Sequence, residues 1–157
     1  MRIFPNIDDQ IAALKSDFPS FEVVRREGEF AIWQGTLKPL MRTYTVAIIY
    51  RVPMVLERID LLSMQPRVRV LSPRLTPRRG DPEGDLPHVY WVDGDPIPLL
   101  CLFDPDTTEW TPSDLLSRTT VPYTSDWLAC YEGWRATGSW TGGGRHAQLL
   151  RSSGAAL

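Results

Sequence analysis

Cys101 is the residue of this sequence best suited to covalent chemistry. It directly follows the apolar pair Leu99-Leu100, which is typical of a strand, and it precedes the turn-forming pair Asp104-Pro105. A thiol between a strand and an exposed turn is presented to solvent and to other molecules. His88 is the nearest histidine upstream, and the segment Trp110-Thr111-Pro112 follows. We therefore predict that Cys101 is a nucleophile.

The charge around Cys101 argues against an enzyme that needs a strongly activated thiol. A cysteine hydrolase requires a thiolate, and its pKa is lowered by a nearby histidine or positive field. Here the neighbours along the chain are acidic, namely Asp93, Asp95, Asp104 and Asp106. Carboxylates oppose ionisation of the thiol. His88 or His146 could still serve as a base in three dimensions, so a hydrolase remains a third alternative.

A different reaction suits an acidic neighbourhood better. A thiol that receives an acyl group by exchange from another thioester does not need strong activation, but it must be exposed. An incoming amine must then be positioned beside it. Asp104 is our candidate for orienting or deprotonating such an amine. Most of the remaining aspartates are expected to form turns, as next to Gly94 and Pro96.

The sequence does not predict a metal site or a cofactor. The histidines and cysteines, which are the usual zinc ligands, are widely spaced, and none has the close paired spacing of structural zinc sites. These residues are His88, Cys101, Cys130 and His146. Cys130 falls inside a helical pattern, where a cysteine is usually a small buried hydrophobic residue. The two cysteines are expected to be free thiols.

The composition indicates one folded domain covering residues 1–157. The apolar share is 43%, the charged share is 23% and the net charge is −2, so we expect no nucleic-acid partner. No segment reads as a signal peptide or a membrane span, and a cytoplasmic protein without membrane contact is expected. The arginine-rich segment Pro66–Arg79 leaves room for an anionic partner. The oligomeric state is not indicated.

Hydrophobic periodicity predicts an α+β fold. A short amphipathic helix opens the chain, with Ile7, Ile11, Leu14 and Phe18 at helical spacing and Asn6 or Asp8 as its cap. Four strand-like runs follow, at Phe21–Arg26, Glu29–Gly35, Thr43–Val52 and Pro66–Leu71. The first two meet at a Glu27-Gly28 hairpin signal. We predict a four-stranded antiparallel meander with helices on one side.

The second half should contain a long loop and then helices. Ser72–Pro98 is rich in proline and glycine and is expected to be an ordered, irregular loop. A helix is predicted from Thr111 and is expected to be interrupted by Pro122. A second helix then carries Trp127, Tyr131 and Trp134 on one stripe and ends near Gly138. The tail Ser139–Leu157 is expected to be partly flexible.

The order of these motifs resembles that of ubiquitin-conjugating enzymes. That family has an N-terminal helix, a four-stranded meander, a Pro-Lys-Val strand, a His-Pro-Asn motif, a Gly-x-Ile-Cys-Leu segment and a Trp-Ser-Pro helix start. This chain has, in the same order, Pro66-Arg67-Val68, His88-Val89-Tyr90, Leu99-Leu100-Cys101-Leu102 and Trp110-Thr111-Pro112. The resemblance implies a ubiquitin-conjugating-enzyme-like fold, with Cys101 forming a thioester and His88 supporting the loop before it.

The C-terminal half is similar to the compact bacterial members of that family, which occur in anti-phage operons beside a cGAS-like nucleotidyltransferase (CBASS systems). The shared ending runs through Tyr123, Trp127-Leu128, Tyr131-Glu132, Trp134, Gly138, Trp140, Gly142-Gly143-Gly144 and His146. The resemblance implies that the thiol engages the C-terminal carboxylate of the nucleotidyltransferase and thereby regulates anti-phage signalling.

The chain departs from the family motif next to His88. Val89 and Tyr90 replace the proline and asparagine, and Tyr90 or His146 could supply the hydrogen-bond donor that the asparagine provides. We expect no adenylation module in this chain, so charging of Cys101 would need a separate protein or would not occur in the usual form. Two classes of function stay open besides the hydrolase: a conjugating-type transferase, and a catalytically idle module that binds and shelters a partner's C-terminus.

Overall fold

The computed structural model describes residues 4–54, 64–104 and 106–142. The helix α1 spans Ile7–Asp17 and the helix α2 spans Thr120–Thr137. Between them the described residues form six strands: β1 (Glu22–Glu27), β2 (Phe30–Leu37), β3 (Tyr44–Arg51), β4 (Arg67–Ser72), β5 (Val89–Tyr90) and β6 (Leu99–Leu100). The predicted α+β class and the N-terminal helix are confirmed. Within the described ranges, neither helix is long and apolar enough to cross a membrane.

The start of α1 is fixed by a reciprocal cap. The Asn6 side chain accepts a hydrogen bond from the Asp9 amide at 2.8 Å, and the Asp9 carboxylate accepts one from the Asn6 amide at 2.9 Å. This capping box satisfies two donors that the first helical turn leaves unpaired. Of the two caps that the sequence allowed, Asn6 is therefore correct. The helix buries Ile7 and Leu14 completely.

The four long strands form an antiparallel meander in the order β1-β2-β3-β4, as predicted. The β1–β2 turn is formed by Gly28 and Glu29, one residue later than the sequence signal, and Gly28 has φ +56°. That left-handed conformation favours glycine, which has no Cβ. Another glycine, Gly35 on β2, leaves room for the Phe21 ring, since a Cβ there would overlap that ring.

The loop predicted over Ser72–Pro98 contains a strand that the sequence did not reveal. Val89–Tyr90 pairs with Leu99–Leu100 in a small antiparallel sheet of its own. The connection includes a turn at Asp93-Gly94, where Gly94 has φ +78°. A two-residue strand is too short to give a period-2 pattern. Its pairing depends on the partner strand, so only the folded structure shows it.

The helix predicted from Thr111 is wrong. Residues 111–119 form turns, and the helix begins at Thr120. The Asp114 carboxylate accepts a hydrogen bond from the Thr111 amide at 2.7 Å, as at a helix start, but the Gln10 side chain bonds the Asp114 carbonyl and the Leu116 amide, so the backbone does not continue as a helix. Pro122 also does not interrupt a helix. It lies in the first turn of α2, where the missing amide hydrogen has no helical acceptor to lose.

The C-terminal helix α2 buries its aromatic stripe, and its Tyr131 ring contacts Tyr44 of β3 with 6.4 Å between the ring centroids. Trp127, Tyr131 and Trp134 are all buried. The helix ends at Gly138, which has φ +78°, so the predicted end is confirmed. Both helices, the sheet and the segment around β5 and β6 contribute to one hydrophobic core. The predicted flexible tail is described only as far as Gly142, and the rest of it, including His146, lies outside the described residues.

Candidate active site

Cys101 is held at the end of β6 by the backbone of the neighbouring strand. Its amide donates a hydrogen bond to the His88 carbonyl at 3.0 Å, which continues the β5–β6 pairing by one residue beyond each strand. The side chain is half-buried, and the thiol is free. The structure therefore fixes the backbone on which the candidate nucleophile is carried, while leaving its side chain partly accessible.

His88 joins three parts of the site through its backbone and its ring. Its carbonyl accepts the Cys101 amide and also the Trp127 indole N–H at 2.9 Å. Its ring lies 4.7 Å, centroid to centroid, from that of Trp140. The residue has φ +57°, a conformation that is uncommon outside glycine and costs free energy unless the surroundings hold it. Here a strand, a helix and the segment after that helix all hold it.

Tyr90 brings a hydroxyl group to the sulfur. The Tyr90 Oη and Cys101 Sγ atoms are 3.0 Å apart and form a hydrogen bond. Tyr90 lies on β5, two residues after His88, and His88 is the backbone partner of Cys101. The side chains of Tyr90 and Cys101 are therefore diagonal neighbours on one face of the small sheet. The sequence offered Tyr90 as one of two candidate donors, and the geometry brings this one to the thiol.

Asp104 lies close to Cys101 but also builds the loop that follows it. Its carboxylate Oδ1 accepts the Asp106 amide at 2.9 Å, and its own amide donates to the Glu109 carboxylate at 2.8 Å. The Asp104 side chain is buried, with 8% of its surface exposed. Two carboxylates, Asp104 and Glu109, are thereby placed near the sulfur. Glu109 was not singled out from the sequence, because it is eight positions away along an irregular loop.

These surroundings keep the thiol protonated. Burial raises the pKa of Cys101, and the charges of Asp104 and Glu109 raise it further, while the hydrogen bond from Tyr90 acts in the opposite direction. Burial is also the main reason why the pKa of Tyr90 lies well above its usual value, and the bond to Cys101 adds to it. At neutral pH both groups hold their protons. The poorly activated thiol expected from the acidic sequence is the state that this geometry favours.

A groove of about 300 Å³ runs past Cys101. Its lining combines aromatic rings with carboxylates: His88, Cys101, Leu102, Phe103, Asp104, Glu109, Tyr123, Asp126, Trp127, Cys130, Trp140 and Gly142. No lysine or arginine is among these lining residues of the described part. The groove therefore offers apolar walls, three carboxylates and two thiols, those of Cys101 and Cys130.

The segment after α2 supplies one wall of this groove. Trp140 contacts the Trp127 ring at 5.2 Å as well as His88. Gly142 lies against Cys130, since a Cβ at Gly142 would come 2.8 Å from its sulfur. Cys130 is half-buried on the groove wall and is not a core residue as the sequence suggested. The pattern of aromatic residues had indicated packing for Trp127 but gave no sign that Trp140 folds back over His88.

Other sequence candidates lie elsewhere or do not cluster. Asp95 pairs with Arg69 at 2.6 Å and caps the Ile97 amide at 2.9 Å, which is the structural role expected for it. Across residues 4–54, 64–104 and 106–142, no three His, Cys, Asp or Glu side chains are arranged to hold a metal ion. His146, one of the four scattered zinc-type ligands, lies outside those ranges.

Comparison with known proteins places the chain in a family. The chain matches no curated protein. The family described as "Type II CBASS E2 protein" matches residues 10–147, which include the whole sheet, Cys101 and α2. That match spans most of the chain and covers all the residues that line the groove. The protein is therefore a member of the type II CBASS E2 family.

Proposed function

We propose that this protein is an acyl carrier with a ubiquitin-conjugating-enzyme-like fold, and that Cys101 receives the C-terminal acyl group of a partner protein as a thioester. The observation that carries the proposal is the position of Cys101, half-buried at the end of β6 and beside a groove of about 300 Å³ lined by aromatic rings. The family match supports an E2-like role in a CBASS system.

The chemistry needs only a modest nucleophile. In the charging step, the Cys101 sulfur attacks the carbonyl carbon of a donor thioester, the donor thiol leaves, and the proton lost from Cys101 balances the one gained by the donor. This exchange is close to neutral in energy because one thioester replaces another. A thiol with a raised pKa is mostly protonated at neutral pH, so it attacks electrophiles slowly. For the same reason it is protected from reaction with unrelated electrophiles.

The partner that we propose is the cGAS-like nucleotidyltransferase of the same CBASS system. Its C-terminus would lie in the groove as an extended peptide, with the terminal acyl group at Cys101. In this proposal an activating protein supplies the thioester. The aromatic walls formed by Phe103, Trp127 and Trp140 support binding of a chain end with apolar contacts, and small residues next to the acyl group would fit most easily.

The adduct is the most direct test. Wild-type protein mixed with the nucleotidyltransferase and the activating protein is expected to give a complex that survives denaturant but is cleaved by a small thiol. Cys101→Ala is expected to abolish that complex. Cys130→Ala is the matched control and should keep it, because the Cys130 sulfur is packed against Gly142. An adduct that persists in Cys101→Ala would overturn the covalent proposal.

A specific observation favours one alternative. Burial and two carboxylates keep Cys101 protonated, which also suits a catalytically idle module that binds the partner's C-terminus without reacting. The same experiment separates the two functions. An idle module would bind the partner in native conditions and give no adduct in denaturant, with Cys101→Ala binding as tightly as the wild type. The raised pKa of Cys101 argues against the cysteine hydrolase.

Asp104 is proposed to orient an amine that takes the acyl group from Cys101. Asp104→Asn is expected to slow transfer to free lysine at least about tenfold while charging is kept, since general-base catalysis contributes about 10²–10⁴-fold. The asparagine keeps the Oδ1 acceptor that the loop uses. The measurement is single-turnover discharge of the preformed thioester. Asp93→Asn, which removes the same charge from an exposed turn, is the control, and equal discharge rates would exclude this role.

A further inference from the structure

The hydroxyl group of Tyr90 contacts the Cys101 sulfur, and the proposed function gives Tyr90 no role. Its hydroxyl lies 3.0 Å from the Cys101 sulfur, and this is the one side-chain hydrogen bond to that sulfur within the described residues. The contact is set by the register of a short sheet, because His88 faces Cys101 and Tyr90 faces Leu99. Both side chains therefore extend from backbone that is hydrogen-bonded on each side.

The hydrogen bond can be made in either direction as the sulfur changes its charge. A neutral thiol is a weak donor and the tyrosine oxygen can accept from it, whereas a thiolate only accepts. Tyr90 can then rotate its own hydrogen toward the sulfur. It has that hydrogen to donate because burial keeps the phenol protonated far above neutral pH. A hydrogen bond to an ionised acceptor is about twice as strong as a neutral one.

We propose that Tyr90 is a catalytic residue of the acyl transfer, and that its hydroxyl donates a hydrogen bond to the Cys101 sulfur whenever that sulfur carries negative charge. The sulfur is charged as it attacks the donor thioester, and again as it leaves when an amine takes the acyl group. Tyr90 keeps its own proton throughout, because in the first step the proton of Cys101 goes to the departing donor thiol, and in the second step the proton lost by the amine returns to the Cys101 sulfur. This role rests on the proposed function, since it stabilises the sulfur of that reaction.

The charged groups near the sulfur favour such a donor. The titratable groups that line the groove beside Cys101 come from three elements: His88 before β5, Asp104 and Glu109 in the following loop, and Tyr123, Asp126 and Cys130 on α2. The two loop carboxylates raise the pKa of Cys101. A thiolate at this position therefore meets negative charge on one side, and the Tyr90 hydroxyl is the described group that compensates it.

The test is the pH dependence of Cys101 alkylation by iodoacetamide, followed by peptide mass spectrometry so that Cys130 is counted separately. In Tyr90→Phe the midpoint of the Cys101 alkylation profile is expected to move upward by about one pH unit. At a fixed pH below both midpoints, this shift corresponds to alkylation that is about tenfold slower. Tyr50→Phe is the matched control, because the buried Tyr50 hydroxyl has no hydrogen-bond partner among the described residues. Its Cys101 profile should equal that of the wild type.

An unchanged profile in Tyr90→Phe, with thermal unfolding like that of the wild type, would overturn the role of Tyr90. This measurement needs no partner protein, so it is independent of the proposed function. If the wild type forms no thioester but the profile shifts, the acyl-carrier proposal fails while stabilisation of the thiolate by Tyr90 stands. If the thioester forms, Tyr90→Phe should also slow its formation about tenfold, and an equal rate would contradict the catalytic role.

Discussion

Replacement of Cys101 by serine is expected to stop turnover almost completely while trapping the acyl group as an ester. A serine hydroxyl ionises far less readily than a thiol, so its attack on the donor thioester is slow. Once formed, the oxyester has a poor leaving group, and neither a small thiol nor lysine should displace it. We expect the rate of transfer through the site to fall by about 10³-fold or more, which corresponds to about 4 kcal/mol in the activation free energy.

The structure makes this substitution a clean one. Serine differs from cysteine by one atom. The hydrogen bond from the Cys101 backbone amide to the His88 carbonyl does not involve the side chain, so the substitution leaves it in place. Serine can also keep a hydrogen bond with the Tyr90 hydroxyl. The measurement is the mass of the denatured complex after a long incubation, with and without a small thiol and then after mild base. Cys130→Ser serves as the control and should give the thiol-sensitive adduct of the wild type.

Two outcomes would contradict this prediction. A Cys101→Ser protein that turns over at the rate of the wild type would mean that the sulfur is not the nucleophile. A thiol-sensitive adduct in Cys101→Ser would mean that another cysteine carries the acyl group, and Cys130, on the same groove wall, would be the first to examine. An adduct resistant to thiols and cleaved by base would support acyl transfer directly.

The sheet and the first helix could be predicted because their signals are local and repeated. β3 places Val46, Ile48 and Tyr50 toward the core, and β-branched residues continue through it, so the run indicates a central strand without knowledge of its neighbours. The capping box at Asn6 is likewise contained in four consecutive residues. Patterns of this kind survive folding because tertiary contacts reinforce them.

The region around the site was predicted less well because its structure depends on contacts between distant segments. Residues 111–119 carry the helix-start residues Thr, Pro and Asp, but Gln10 of α1 accepts the Leu116 amide at 2.9 Å and donates to the Asp114 carbonyl at 3.0 Å. These two bonds, made across about a hundred positions of sequence, satisfy the backbone in a turn conformation instead of a helix. A local motif cannot report such a partner.

The candidate site itself was partly visible in the sequence. Cys101, His88 and Asp104 were found from residue type and motif order, and the structure brings all three to one groove. Tyr90 was suggested only as one possible donor, since its approach to the sulfur depends on the β5–β6 register. Trp140 was noted only as part of the shared family ending, and its packing on His88 could not be predicted because it requires the chain to reverse after Gly138. Short strands and chain reversals thus decide the site's final geometry.

Replacement of Trp127 by phenylalanine is expected to damage both the fold and the site, because the indole connects α2 to the backbone that carries Cys101. Its N–H donates to the His88 carbonyl at 2.9 Å, and its ring stacks on Tyr131 at 5.7 Å. Phenylalanine loses the hydrogen bond and leaves a cavity. We expect a loss of about 2–4 kcal/mol in the free energy of unfolding, from about 1 kcal/mol for the bond and the remainder for the cavity.

The matched control is Trp134→Phe. Trp134 is fully buried on the same helix, but its indole N–H has no hydrogen-bond partner among the described residues. The Trp134→Phe variant should therefore lose stability through the cavity and a weaker contact with the Arg78 guanidinium, without loss of a hydrogen bond. The free energies of unfolding come from urea titrations of both variants, and adduct formation is measured at a temperature where both are folded. We expect adduct formation to slow at least about tenfold in Trp127→Phe and to change little in Trp134→Phe.

The comparison separates positioning from stability. His88 has φ +57°, so its backbone keeps this conformation only while its neighbours hold it. Without the Trp127 bond, the His88 carbonyl retains the Cys101 amide but loses its link to the helix, and the sulfur can move relative to the groove. If both variants lose activity in proportion to their stability, the bond has no positioning role. If Trp127→Phe loses more, the helix holds the thiol in place through the carbonyl of His88.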